Sequence, residues 1–398
     1  MKINLITTHY PPKKGGVETH VKELLGFISK KEEIFVNVFT YQSYKNLDNL
    51  CKNKRIKVYK KIIKNKSVNY FLNDLRSVSL IEKSIIKSFL YIFLNLFLII
   101  TVCFKNKKQF KNSDIIFSVG AMAEALPSYI LSIIFRKKLV IEWHTQLSYF
   151  RNNIFSNILI KLIFKHSKLV IVNGKDIELE AILFGAKKTF CRKHFINYKI
   201  FRPIHIKKYK LSNKKLFVLH AAALNTTKFA DILKDSIDRI LGVDKNYIFI
   251  IVGRGPLEKD FLYLKNKYKE NIIFLNNLVS QKKLNYLINL SDIVFSSADV
   301  SYPCRLTFES LCAGRPVVFP DVSQHDRNKK IKFKLNLDHS VFKIKPNSES
   351  LANFLLKNKK YIKKISRDKN IVEKRRNYII RNFNEKVFDE ILGELKSV

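Results

Sequence analysis

The sequence predicts an α/β protein made of two Rossmann-like doubly wound domains facing each other across a cleft. Three observations predict it. The chain has 398 residues, enough for about two domains of roughly 100–200 residues each. Short apolar runs recur along both halves, and helical spacing follows them. That alternation builds parallel sheets covered by helices on both faces. A polar, lysine-rich connector, Ile204 to Lys215, separates the halves. Hydrophobic residues make up 46% of the chain, which supplies packed cores and excludes disorder.

Lys2 to Thr8 reads as the first strand, Tyr10 to Gly16 as a turn-rich loop, and Val17 to Leu25 as the opening of an amphipathic helix. The pair Gly15-Gly16 would let backbone approach a ligand and offer amides to a phosphate; a tight turn without ligand uses the same pair. Phe35–Phe39 and Ile56–Tyr59 are the next strands. Ser88 to Phe104 carries no charge and is bounded by Lys87, Lys105, Lys107 and Lys108. A bilayer span takes about 20 apolar residues and about 17 at the least. Three readings stay open for this run: a buried helix, a helix in the membrane interface anchored by lysines, or a span. Asp114–Ser118 is a strand, Gly120 to Arg136 a helix, and Leu139–Trp143 a strand ending in His144. A histidine at a strand's carboxyl end faces ligand in this architecture; taken alone, a hydrogen-bonded structural histidine is the plainer reading. Leu169–Val172 is the last strand of the first half.

The second half opens with the strand Leu216–His220. Tyr247–Val252 follows and leads into Gly253-Arg254-Gly255-Pro256; Ile272–Leu275 is a strand and Gln281–Leu290 a helix. Asp292–Ser296 is a buried strand. Leu306 to Ala313 reads as a short helix that Gly314 closes in the left-handed conformation and Pro316 forbids to continue. Val317-Val318-Phe319 then starts another strand. Glu309, placed in the first turn of that helix, could accept hydrogen bonds from two neighbouring hydroxyls of a ribose; a favourable charge–dipole placement is the plainer reading. Asn377 to Leu392 is a closing helical region.

Net charge is +41. Nucleic acid, an anionic membrane surface and phosphorylated substrates are the candidate partners, beside a compositional bias spread over the surface. The basic residues are dispersed and no helix-turn-helix, RNA-recognition or zinc-finger pattern stands out, so no nucleic acid is expected. Five scattered cysteines without Cys-x-x-Cys or Cys/His spacing fit a reducing cytosol and no structural zinc. The amino terminus shows no signal-peptide pattern.

Several of these stretches together resemble the GT-B glycosyltransferases of family 4. The resemblance rests on Gly15-Gly16-Val17-Glu18, on His144, on Val252-Gly253-Arg254-Gly255-Pro256, and on Glu309 followed by Gly314-Arg315-Pro316-Val317-Val318. Phe201 and Pro203 remain of the family's interdomain segment. The resemblance implies an acceptor-side domain over 1–203, a nucleotide-sugar-binding domain over 204–376, and a terminal helix, 377–398, crossing back onto the first domain. It implies a retaining hexosyltransferase, with front-face displacement from a nucleotide-diphosphate sugar to a lipid-linked or polysaccharide acceptor in cell-surface glycan biosynthesis. The net charge and Ser88–Phe104 point to a cytoplasmic location, peripheral on the inner membrane face. His144 and Glu309 would be catalytic. Gly15, Gly16, Lys228, Gly253, Arg305, Glu309 and Ser301 would bind donor. No cofactor is expected, and with no Asp-x-Asp sequence no metal either.

Two departures mark the donor site. Leaving-group charge must be neutralised by fixed positive charge; Lys228 matches the family's lysine, but Ala223 stands where its arginine would be. Ser301 stands where the family has its first glutamate, and the glycine-rich turn becomes Tyr302-Pro303-Cys304-Arg305. Arg305 is expected to restore the charge missing at Ala223. The alternatives are a catalytically degraded relative that binds a nucleotide or a partner, and a basic nucleic-acid-binding protein.

Overall fold

A computed structural model describes residues 1–10, 15–42, 54–62, 85–145, 147, 154–206, 214–299, 302–321, 337 and 339–398. The chain divides into two units, Met1–Lys193 with Glu385–Val398, and His194–Asn384.

The first unit runs β1 (Lys2–Ile6), α1 (Gly16–Ile28), β2 (Phe35–Gln42), β3 (Ile56–Ile62), α2 (Ile85–Lys105), α3 (Lys107–Lys111), β4 (Ile115–Gly120), α4 (Met122–Ile134), β5 (Lys138–Trp143), α5 (Ile154–His166), β6 (Leu169–Val172), α6 (Lys175–Leu183) and β7 (Thr189–Cys191). Its seven strands are ordered β3-β2-β1-β4-β5-β6-β7, every pair parallel. β4 is buried at every residue, as expected of a parallel strand covered on both faces. The chain reverses direction across the sheet between β1 and β4, and a doubly wound sheet opens its ligand crevice at such a point.

The second unit runs β8 (Leu216–Ala221), a 3₁₀ turn (Thr226–Lys228), α7 (Ala230–Val243), β9 (Tyr247–Val252), α8 (Glu258–Tyr268), β10 (Ile272–Leu275), α9 (Gln281–Leu290), β11 (Ile293–Phe295), β12 (Ala298–Asp299), β13 (Tyr302–Pro303), α10 (Arg305–Cys312), β14 (Val317–Pro320), β15 (Val341–Ile344), α11 (Ser348–Arg367) and α12 (Lys369–Asn382). Its main sheet has the order β10-β9-β8-β11-β14-β15, again parallel, with the reversal between β8 and β11. Two cores sandwich it, one around Leu233, Ile237 and Leu351, the other around Phe308, Leu311 and Ile379. The predicted pair of doubly wound parallel-sheet domains is thus present.

The unit boundaries sit at 193/194 and 384/385, where the sequence reading drew 203/204 and 376/377. Packing accounts for the difference. Ile196 and Phe201 join the second unit's core with Ile379 and Phe383, and the Ile196 amide donates to the Phe383 carbonyl at 2.8 Å. The closing helical region is broken at Phe383: α12 belongs to the second unit, and only α13 (Lys386–Lys396) joins the first. There Phe388 lies 5.3 Å from the Phe27 ring.

α2 contains Ser88–Phe104 and is two-faced. Ile92, Leu98, Ile99 and Cys103 are buried, whereas Leu90, Phe93, Phe97 and Phe104 are exposed. Among the described residues no helix is long and apolar enough to cross a membrane, and the buried face of α2 belongs to the first unit's core.

Candidate functional site

In the first unit, the residues after β1 and before α4 meet at the reversal point. The Thr8 hydroxyl donates to Glu124 Oε1, and the Ala121 amide donates to Glu124 Oε2 at 2.8 Å. His9 Nδ1 lies 3.0 Å from Glu18 Oε1, and its Nε2 lies 3.8 Å from Glu124 Oε1. His9 keeps a quarter of its side chain exposed (26%), while Glu124 is almost wholly covered. Gly15 precedes α1 and Gly16 begins it. Glu18 folds back over Gly15, where a Cβ would come 2.2 Å from its Oε2. The amide end of α1 therefore faces a carboxylate of its own helix. The sequence reading named Gly15 and Gly16 here but passed over His9 and Glu124. The available signal was a histidine just past the first strand and an acid opening the helix after β4.

His144 follows β5, as expected, and its amide donates to the Gly120 carbonyl at 2.9 Å. Its ring is turned into the protein, with Nε2 3.1 Å from Glu142 Oε1 and 7% of the side chain exposed. His20 of α1 reaches the same oxygen at 2.8 Å, and the buried Arg192, just after β7, donates to it through Nε. Glu142 Oε2 has no hydrogen-bond partner among the described residues. Burial works against the Glu142 charge, but Arg192 and then the two imidazoles outweigh it and hold the carboxyl well below its usual range. Burial, with Arg192 next, pushes His20 down to about 4; burial likewise lowers His144. His20, Glu142 and His144 offer ligand atoms within 4.8 Å of one another. The guanidinium already compensates the one carboxylate, however, so a dication would add uncompensated charge to a buried site. Apart from His144, this tetrad also escaped the sequence reading. The clue was one acid inside Leu139-Val140-Ile141-Glu142-Trp143, which burial obliges to find partners.

In the second unit, the ends of β8 and β11 mark the reversal. Lys228 ends the 3₁₀ turn after β8, its amide donating to Asn225 Oδ1 at 3.0 Å. Ala223 lies exposed in the same connection. Gly253 and Gly255 form the turn after β9, where a Cβ on Gly253 would sit 1.9 Å from the Ala222 carbonyl oxygen. That close approach of two strand ends admits no side chain. Beyond β11, the Ser296 hydroxyl and Thr307 Oγ1 lie 2.8 Å apart.

α10 begins at Arg305, so Glu309 sits in its second turn, not the first as expected; no acid occupies the first turn. The helix starts early because Cys304 takes the extended N-cap geometry. Arg305 is therefore a helix residue, and its Nε donates to Glu309 Oε1 at 2.7 Å. Glu309 is 5% exposed. Gly314 takes φ +81°, as expected for the residue closing the helix. Two arginines of α12 hold that end: Arg375 donates to the Gly314 carbonyl at 2.9 Å and Arg376 to the Cys312 carbonyl at 3.2 Å. Ser301 lies outside the described residues. The structure thus gathers Lys228, Gly253, Arg305 and Glu309 on strand ends and connections of the second unit, and Gly15, Gly16 and His144 on those of the first.

Buried imidazoles make stability depend on pH. Besides His20, burial pushes His220 of β8 down to about 4. The unfolded chain protonates such groups near their ordinary value of about 6.5; the folded chain does so only near 4. Their contribution is complete above about pH 6.5 and is lost as pH falls towards 4, by up to roughly 3 kcal/mol each. The Glu142 contribution persists until pH drops below the usual carboxylate range. We expect Tm to be level above neutrality and to fall by several degrees at pH 5, followed by circular dichroism. A level Tm down to pH 5 would remove the claim.

Residues 201–355 match the family of glycosyl transferases group 1. MJ1069 of Methanocaldococcus jannaschii, described as an uncharacterized glycosyltransferase, is 23% identical over 337 residues, covering 80% of this chain and 80% of its own length. Among solved structures, Alr3699/HepE of Anabaena in complex with UDP-glucose is 16% identical, with a TM-score of 0.68 over 100% of both chains. Sucrose-phosphate synthase of Thermosynechococcus elongatus is 15% identical, with a TM-score of 0.69 over 100% of this chain and 98% of its own. At such identities these structures establish the fold.

Proposed function

We propose that this chain, whose residues 201–355 match the glycosyl transferases group 1, is a GT-B glycosyltransferase that moves a hexose from a nucleotide diphosphate to a lipid-linked or polysaccharide acceptor in cell-surface glycan biosynthesis. The observation that carries the reading is Glu309, held by Arg305 at 2.7 Å beyond the end of β11, inside the matched segment. A carboxylate fixed in this way accepts two neighbouring ribose hydroxyls, and charge-assisted bonds of that kind are the strong ones. Lys228 and the Arg305 guanidinium supply positive charge for the leaving diphosphate, in place of the arginine absent at Ala223. The close turn at Gly253 completes the donor contacts of the second unit.

Transfer proceeds with retention at the anomeric carbon. Its bond to the leaving phosphate oxygen breaks, the bond to the acceptor oxygen forms on the same face, and the acceptor proton passes to the leaving phosphate. His144, oriented by Glu142, is assigned to the donor sugar. His9, with Glu18 and Glu124 beside it, is assigned to acceptor hydroxyls, which donate readily to such carboxylates. No metal or cofactor is invoked in these steps. The enzyme works in the cytoplasm at the inner face of the membrane, drawn there by its net charge of +41 and by the exposed face of α2.

A thermal-shift screen with UDP-, GDP-, ADP- and CMP-sugars tests the reading. One nucleotide class is expected to raise Tm by a few degrees, since ligand at 100 times its Kd stabilises by about 2.7 kcal/mol. No shift from any class at millimolar concentration would overturn it.

A further inference from the structure

The amino ends of β1, β2 and β3 lie at the edge opposite the strand ends described above, and they border a cavity of about 230 Å³. Five cations line it, Lys2, Lys54, Arg55, Lys57 and Lys108, together with Tyr59. Asp114 takes the Lys2 backbone amide at 2.7 Å, and Arg55 lies 3.5 Å from Glu32, whose side chain is 88% exposed. Among the described residues, no carboxylate pairs with the amino groups of Lys2, Lys54, Lys57 or Lys108. So many cations around one small cavity repel one another unless an anion joins them.

The exposed stripe of α2 ends four residues before Lys108, which lines the cavity. Leu90, Phe93, Phe97 and Phe104 recur at helical spacing on its outer face and are 45–65% exposed, and Lys107 and Lys108 follow at once in α3. Beneath the surface, a run of ring contacts through the core joins the end of α2 to the cavity wall. Phe104 touches Phe135, Phe135 touches Phe110, Phe110 touches Phe39, and Phe39 stacks on Tyr59 at 5.0 Å. An apolar helix face beside a cluster of cations matches the two chemistries of a lipid, acyl chain and phosphate.

We propose that this cavity receives the phosphate of an anionic lipid headgroup while the outer face of α2 beds into the acyl boundary. The inference rests on the membrane-surface part of the proposed function and names its point of attachment. A phosphate seated among the lysines releases their mutual repulsion, and the stripe leaves water in the same step.

The test is flotation of the full chain with vesicles of phosphatidylcholine alone and of phosphatidylcholine mixed with phosphatidylglycerol. Binding is expected only to the mixture. The combined change Lys54→Ala, Lys57→Ala and Lys108→Ala should weaken it at least about tenfold, and Phe93→Ser with Phe97→Ser should weaken it similarly. A control with equal charge loss in the second unit, Lys259→Ala, Lys282→Ala and Lys357→Ala, should change it less than about twofold. Melting curves verify that each variant is folded. Flotation that survives the first triple change, or falls equally in the control, overturns the site and leaves the membrane reading standing. Absence of flotation overturns both. Stabilisation by inorganic diphosphate that the Lys54→Ala, Lys57→Ala and Lys108→Ala change abolishes, without flotation, assigns the cavity to a soluble anion and overturns the lipid.

Discussion

Arg192→Met is expected to destabilise the first unit by about 3–5 kcal/mol, the usual cost of stripping a buried charge of its partner. The reason lies in the company Glu142 keeps. Its carboxylate is fully buried and sits within reach of three nitrogens, from His20, His144 and Arg192. Burial keeps both imidazoles largely neutral near pH 7, so Arg192 alone brings a full compensating charge. Without it, Glu142 must take up a proton or draw water inward. The double change Arg192→Met with Glu142→Met should recover most of the loss, because it removes both charges and leaves apolar volume behind. Denaturant unfolding, following the first unit's transition, measures both variants. A single-variant loss under about 1 kcal/mol would mean that the pair is solvated, not buried.

The elements that position the site were largely legible because each is local. β9 and β11 are unbroken apolar runs, β1 and β5 are apolar runs interrupted inside only by Asn4 and Glu142, and the Gly314-x-Pro316 stop ends α10 where expected. What escaped reading depends on distant partners. Glu142 is one charge on a strand, and its ligand-like surroundings come from α1 and from the chain beyond β7. The break at Phe383 is set by the ring's fit against Phe308, 4.4 Å away in α10. α11 was missed because lysines crowd Leu351, Leu355, Ile362 and Ile365, whose helical spacing becomes plain only once they are seen buried. Arg305 was placed in a loop because the altered turn before it, Tyr302-Pro303-Cys304, conceals where the helix begins.

Glu309→Gln is expected to weaken nucleotide-sugar binding by about 30–100-fold, the worth of one strong or two moderate charge-assisted hydrogen bonds. The fold should survive, since the Gln side chain fills the same space beside Arg305. Turnover at low donor concentration should fall by the same factor. The central claim is that this carboxylate holds the ribose hydroxyls, and one titration addresses it most directly. Wild type and Glu309→Gln are each titrated by calorimetry with the nucleoside diphosphate of the class that stabilises the protein, and with its 2′,3′-dideoxy analogue. Loss of the hydroxyls should cost wild type at least about tenfold in affinity and the variant no more than about threefold. Equal losses in the two proteins would place the ribose elsewhere and contradict the account.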